Sequence, residues 1–245
     1  MQITKVEIKN FRGIKDATIF LPKHAVLIGD NNIGKTTILE ALDLVLGPDR
    51  LNRQPPVDEH DFFEGKYMAE PRLTAQQGDK SVVTPKIEIE VTVADLTEEQ
   101  KTKFGDYIEF WDKVTSTLYT EPNPAGVDST NISEAVRFTF HGWYDPEEDD
   151  FEGKTYFTRS LTEDEKPEHF SKKHKQICGF LYLRSIRTGS RALSLERGSL
   201  LDIILRLKEV RPQMWEETIH TLSNIQVASD PALGISPILK VSMQL

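Results

Sequence analysis

The chain has 245 residues, 38% hydrophobic and 28% charged, which is ordinary for a globular protein with room for one large or two modest domains. A net charge of −9 and a single cysteine argue against a dedicated polybasic nucleic-acid module, and exclude an internal disulfide framework and a multi-cysteine metal site. No stretch approaches the roughly 18 consecutive apolar residues of a membrane-crossing helix, and the opening MQITKVEIKNF alternates where a signal peptide would carry an apolar block, so a cytoplasmic location is expected.

Val6 and Ile8 alternate with Lys5, Glu7 and Lys9, and DATIFLP at 16–22 repeats the alternation, which predicts two strands with Gly13 at the turn. Ala25, Val26, Leu27 and Ile28 then form a short apolar run with the pattern of a buried core strand. GDNNIGKTT follows at 29–37, with the spacing G-x-x-x-x-G-K-[ST] of a phosphate-binding loop. Gly29 and Gly34 let the backbone curl with its N–H groups inward, around Asp30, Asn31, Asn32 and Ile33. Lys35 supplies positive charge to the β- and γ-phosphates, and Thr36 places a hydroxyl where a bridging Mg²⁺ can use it, with Thr37 beside it. Ile38, Leu39, Leu42, Val45 and Leu46 mark the apolar stripe of a helix that stops at Gly47-Pro48, and its dipole adds to phosphate affinity.

Residues 49–81 read as loop with a short element around Asp61 to Phe63. KIEIEVTVADL predicts a half-exposed strand through Ile87, Ile89, Val91 and Val93, and Thr97 with Gln100 forms a capping box that opens a helix over 98–112. Val136, Phe138 and Phe140 mark a further strand, and the acidic run DPEEDDFE at 145–152 reads as a hairpin loop. Lys172, Lys173, His174 and Lys175 form a basic cluster read as a solvated loop, Cys178 is a small core residue, and Ile177 to Leu183 predicts a fifth strand. Two helices follow over 199–225, outlined by Leu200, Leu201, Ile204, Leu205 and Leu207, then by Trp215, Ile219 and Leu222.

The phosphate loop restricts the class of protein. A GTP switch should carry N-K-x-D, which is missing, and a small nucleotide kinase would put the loop after its first strand, whereas two strands precede it here. A transporter ATPase loop usually reads G-x-S-G-S-G-K-S, and this one carries two asparagines.

IKNFRGIKD at 8–16 and GDNNIGKTTILEAL at 29–42 resemble the amino-terminal lobe of the ATP-binding-cassette ATPases that act on DNA, of the RecF and structural-maintenance-of-chromosomes type. Among these the chain looks most like the overcoming-lysogenization-defect (OLD) family of ATP-dependent nucleases, with DEHDFF at 58–63 and FLYLRSIR at 180–187 adding to the likeness. The resemblance implies an α/β fold: a P-loop NTPase of ABC ATPase type, a mixed sheet with an antiparallel β subdomain, and a helical segment at the C-terminal end. It places the ATPase lobe at 1–185 and the start of a dimerisation region at 186–245. It implies ATP and Mg²⁺ as cofactors, a homodimer, DNA as a partner of the full-length protein and no membrane. Arg12 would lie near the adenine and Asn31 and Asn32 would line the phosphate loop. The family's Q-loop glutamine stays unassigned among Gln54, Gln76 and Gln77 in the irregular stretch, with Asp61 as a further candidate for that place and the first candidate for a catalytic carboxylate. The family's signature loop, its acidic strand ending in Asp-Glu, its switch histidine and its carboxy-terminal Toprim nuclease domain find no match in the 245 residues. The expectation is therefore an amino-terminal portion of a longer endonuclease that binds ATP and hydrolyses it poorly alone. The alternative is a regulatory ATPase switch that signals to a separate effector and cuts nothing itself.

Overall fold

The computed structural model describes residues 1–31, 33–48, 55–68, 70–71, 82–162, 166–182 and Glu216. The chain divides into two units, Met1–Tyr182 and Leu183–Leu245. Apart from Glu216, which is helical, the two helices expected at 199–225 lie outside the described residues.

The first unit is built on an antiparallel sheet. β1 (Gln2–Phe11) and β2 (Ile14–Phe20) form a hairpin over Arg12 and Gly13, as their alternation predicts. The phosphate loop follows and leads into α1 (Lys35–Leu46). After two short paired strands, β3 (Glu70–Pro71) and β4 (Val82–Val83), come β5 (Ile87–Ala94), α2 (Glu98–Phe104), β6 (Glu109–Asp112), β7 (Thr117–Tyr119), β8 (Ile132–Asp145), β9 (Asp150–Phe157) and α3 (Lys172–Cys178). The main sheet runs β2-β1-β5-β8-β6-β7, with β9 paired to β8, and every pairing among the described residues is antiparallel. This is the antiparallel part of the expected architecture; no parallel pair occurs among the described residues.

The register explains the core. Val6 pairs with Val91 and Val91 with Phe138, while Ile8 pairs with Ile89 and Ile89 with Phe140, so successive apolar rows cross the sheet on one face. All six are wholly buried, and α1 covers that face with Ala41, Leu42 and Val45. Burying a side chain of this size contributes roughly 1.5–3 kcal/mol, so these rows dominate the stability of the sheet. The opposite face carries the intervening charges, and they pair across strands: Lys9 Nζ lies 2.9 Å from Glu88, and Arg137 holds Glu109 at 2.8 Å and Glu90 at 3.2 Å. The expected half-exposed strand at 87–94 is therefore more enclosed than its alternation implies, because Thr92 and Ala94 are buried as well.

Four sequence expectations are corrected. Ala25–Ile28 is no core strand: Val26 is 80% and Ile28 88% exposed, and no described strand pairs with the segment. An apolar run is buried as a core strand where neighbouring strands satisfy its backbone, and none of the described strands does so here. The helix predicted over 98–112 keeps its Thr97–Gln100 capping box but ends at Phe104, whose ring is drawn among Phe138, Phe157 and Phe170. Beyond Gly105 the alternation of Glu109 and Trp111 pairs as β6 with Ala135 and Ser133. The strand expected at 177–183 is not formed by its described residues, 177–182: Ile177 and Cys178 close α3, which begins under a Ser171–His174 capping box and stops at Gly179 with φ 63°. The basic cluster 172–175 is accordingly that helix and no solvated loop, and Lys175 within it is wholly buried.

The Cys178 thiol is buried as expected, and that burial pushes its pKa up to about 12.

Candidate nucleotide-binding site

The loop after Ile28 takes its shape from its glycines. Gly29 has φ 155°, and a Cβ placed there would collide with Ile33 Cδ1. Gly34 has φ 94° and ψ 5°, the left-handed conformation, and serves as the N-cap of α1. With no side chain it cannot cap the helix, and no acidic residue occupies the first turn. The first intrahelical bond is Ile38 N–H to the Gly34 carbonyl at 3.0 Å. The N–H groups of Lys35, Thr36 and Thr37 precede it and have no intrahelical acceptor, so the positive end of a twelve-residue helix faces outward beneath the loop.

Lys35 folds back over that end. Its ammonium donates to the carbonyls of Gly29 at 2.7 Å and Asp30 at 2.5 Å, which holds the charge above the loop. Thr36 is exposed and Thr37 half-buried, so the Thr36 hydroxyl is open to a ligand. Asp30, Asn31 and Ile33 are exposed along the loop, and Asn32 lies outside the described residues. The chemistry of the donor set is suited to a nucleotide phosphate with its cation: the uncapped first-turn amides of α1, the Lys35 ammonium and the exposed Thr36 side chain.

The structure brings a second group up to the loop. Ile14, next to the β1–β2 turn, approaches to 3.9 Å from where a Gly34 Cβ would stand. On that turn Arg12 has φ 50°, a conformation uncommon outside glycine. It is held by Asp61 twice, since Arg12 N–H donates to the Asp61 carbonyl and Arg12 Nε to Asp61 Oδ1, both at 2.8 Å. Its guanidinium also pairs with Glu40 on α1 and lies 5.3 Å from the Phe11 ring centre. Burial opposes the charge on Arg12, but the Asp61 hydrogen bond with the charges of Asp61, Glu40 and Asp58 outweighs it and raises the pKa above the ordinary value.

Asp61 is 1% exposed, and its second oxygen accepts from the Asp58 N–H at 3.2 Å. Asp58 in turn caps the short turn Glu59–Asp61, closing a reciprocal capping box. An open groove of about 560 Å³ runs alongside, lined by Arg12, Gly13, Asp58, His60, Asp61 and Gly65 among others. Arg12 and Asp61, 49 positions apart in sequence, are thus in direct contact beside the phosphate loop. The pairing partner Glu40 was missed from the sequence, where GKTTILEAL shows it only as a polar position on an amphipathic helix. The Asp58–Asp61 box was legible in principle, because Asp followed three positions later by a carboxylate is a capping signal.

Among the described residues no helix is long and apolar enough to cross a membrane, and no cluster of three or more His, Cys, Asp and Glu could hold a metal ion.

Comparison with known proteins places this site in context. An uncharacterized protein, YbjD, from Escherichia coli K12 is 45% identical over 49 residues, which is 20% of this chain and 9% of that protein. An OLD nuclease from Thermus scotoductus is 44% identical over 45 residues, 18% of this chain and 8% of that protein. The matched stretches thus span less than a tenth of the length of these relatives. A solved structure from work on ATP-driven dimerization and DNA-stimulated activation of SMC ATPases has a TM-score of 0.40 and 14% identity, covering 83% of this chain and 99% of the other. The family model for the AAA ATPase domain matches residues 1–180, which takes in every element from β1 to α3 together with the phosphate loop, and the chain belongs to that family.

Proposed function

We propose that this chain is the ATP-binding region of an OLD-type DNA endonuclease, in which nucleotide binding drives two copies together and so controls cleavage by a Toprim domain outside residues 1–245. The observation that carries the nucleotide site is the end of α1: a left-handed Gly34, uncapped first-turn amides and the Lys35 ammonium folded over them. The short 44% match to an OLD nuclease supports the choice among ATPases that act on DNA.

In this reading Gly29, Asp30, Asn31, Asn32, Ile33, Gly34, Lys35, Thr36 and Thr37 surround the phosphates, Thr36 holds Mg²⁺, and Arg12 lies along the nucleotide. A cation held there by Thr36 would supply positive charge to the phosphates. Lys35 must then leave the Gly29 and Asp30 carbonyls and turn to the phosphate, exchanging two neutral acceptors for a charged one. Asp61 serves best as the residue that fixes Arg12, because both of its oxygens already accept hydrogen bonds and its carboxylate is closed to water. Hydrolysis by residues 1–245 alone is accordingly slow.

Calorimetric titration of the chain and of Lys35→Ala with a non-hydrolysable ATP analogue and Mg²⁺ tests the site. The variant is expected to bind at least about tenfold more weakly, since a charge-assisted bond contributes on the order of 1.5–3 kcal/mol. Equal affinity in the two proteins overturns the assignment.

A further inference from the structure

In the β8–β9 hairpin Gly142 pairs directly with Gly153, and together they open a notch on the core face. A Cβ on Gly153 would lie 2.6 Å from Phe140 Cζ and 2.9 Å from Pro56 Cγ, and one on Gly142 would lie 3.4 Å from Val57 Cγ2. Neither glycine has a positive φ, so space and not backbone conformation requires them. Pro56 and Val57 seat in this notch, and Val57 is wholly buried.

The same hairpin grips the chain again at Tyr67, whose ring lies 5.1 Å from both Tyr144 and Phe151 in edge-on contact. Phe62, midway between, is 1% exposed, 5.8 Å from Phe151 and bridged through its backbone to Phe11. Residues 56–67 therefore form a strap fastened to the hairpin at both ends. Its middle carries Asp61, which meets the backbone and the side chain of Arg12.

We infer that the β8–β9 hairpin is a positioning element for the nucleotide site: the Gly142–Gly153 notch and the Tyr67 ring fix the strap, the strap fixes Asp61, and Asp61 fixes Arg12. The inference rests on the nucleotide-binding function proposed above. A methyl group on Gly153 presses on the Phe140 ring from one side, at 2.6 Å, and on Pro56 from the other, at 2.9 Å, so Pro56 moves together with the ring toward ordinary contact distance. That movement passes along a strap held at both ends to the 2.8 Å bonds on Arg12, whose geometry tolerates little displacement. Among the described residues no hydrogen bond or ion pair joins the hairpin to the phosphate loop, so its influence on nucleotide affinity passes through Arg12.

The experiment is a double-mutant cycle on the full 245-residue chain. Affinity for Mg²⁺ with a non-hydrolysable ATP analogue is measured by calorimetry for the unaltered protein, Gly153→Ala, Arg12→Ala and the double variant. Circular dichroism confirms that each is folded, and Tyr67→Leu replaces Gly153→Ala at the other anchor if that variant does not fold. The expected result is about a fivefold loss for the strap variant and for Arg12→Ala alone, with no further loss when the two are combined. A merely structural weakening would persist in the Arg12→Ala background and would overturn the inference, as would unaltered affinity in either single variant. If the unaltered chain and Lys35→Ala both fail to bind, the proposed function falls and this inference with it. If the unaltered chain binds and the strap variant matches it, this inference alone falls.

Discussion

The antiparallel sheet and the segment leading into the phosphate loop are written in the same residues and end at opposite extremes of burial. Ile89 and Val91 are wholly buried, whereas Val26 and Ile28 are 80% and 88% exposed. The difference lies in the neighbours. Val91 sits between Val6 and Phe138 in a ladder that satisfies its backbone on both sides, and α1 covers its face. No described strand pairs with residues 25–28. Apolar composition supplies the capacity for burial, and strand pairing decides whether it is realised. The sheet is therefore the scaffold, and the loop is an exposed segment attached to it through α1.

That contrast can be broken most forcefully from the scaffold side. Phe138→Ala empties a wholly buried site among Phe104, Phe157 and Phe170, and is expected to lower the unfolding free energy by about 3–5 kcal/mol in denaturant titrations. Lys35→Ala should leave that stability within about 0.5 kcal/mol of the unaltered chain while weakening binding of Mg²⁺ and an ATP analogue at least tenfold. A large loss of stability in Lys35→Ala would mean that the loop is part of the scaffold after all.

A third test concerns the join between scaffold and loop. Pro48 has no N–H, so the Leu44 carbonyl near the end of α1 lacks its helical partner, and buried Lys175 donates to it at 2.8 Å. Burial lowers the Lys175 pKa to about 7, against the opposing charge of Asp43. Above that pH the folded protein holds fewer protons at this site than the unfolded chain, whose lysine titrates near 10.5. Stability from this group is thus lower at pH 7 and below and rises as pH increases. Between pH 7 and 8.5 the unaltered chain should gain about 1 kcal/mol per pH unit relative to Lys175→Met, measured by denaturant unfolding at each pH. Parallel curves for the two proteins would show that Lys175 does not titrate in that window. The smallest effect is expected at Val26→Ser, which should change stability by no more than about 0.5 kcal/mol because that side chain is already in water.

How far the sequence could be read follows the same division. Local patterns succeeded: the alternation around Val6 and Ile8, the Thr97–Gln100 box, and the start of α1 after Gly34 and its stop at Gly47-Pro48 all depend on residues close together in the chain. Two of the readings that failed depended on distant partners. Ala25–Ile28 needed a neighbouring strand, and Lys175 needed an orphaned carbonyl 131 positions away to be recognised as buried. Arg12 and Asp61 were singled out separately, and nothing local in either stretch told that the Phe11–Phe62 bridge would join them. The Ile177–Leu183 run was misread because its apolar residues outweighed the Ser171 cap before it and Gly179 within it, the two signals that set the limits of α3.

The central claim is that the uncapped first-turn amides of α1, with the loop before them, hold the phosphates of a nucleotide. Hydrogen exchange measured with and without saturating Mg²⁺ and ATP analogue reads those amides directly. The account predicts slowed exchange across residues 29–37 and little change in β5 and β8, which are already protected in the sheet. Exchange that stays unaltered across residues 29–37 while the nucleotide is bound would contradict it.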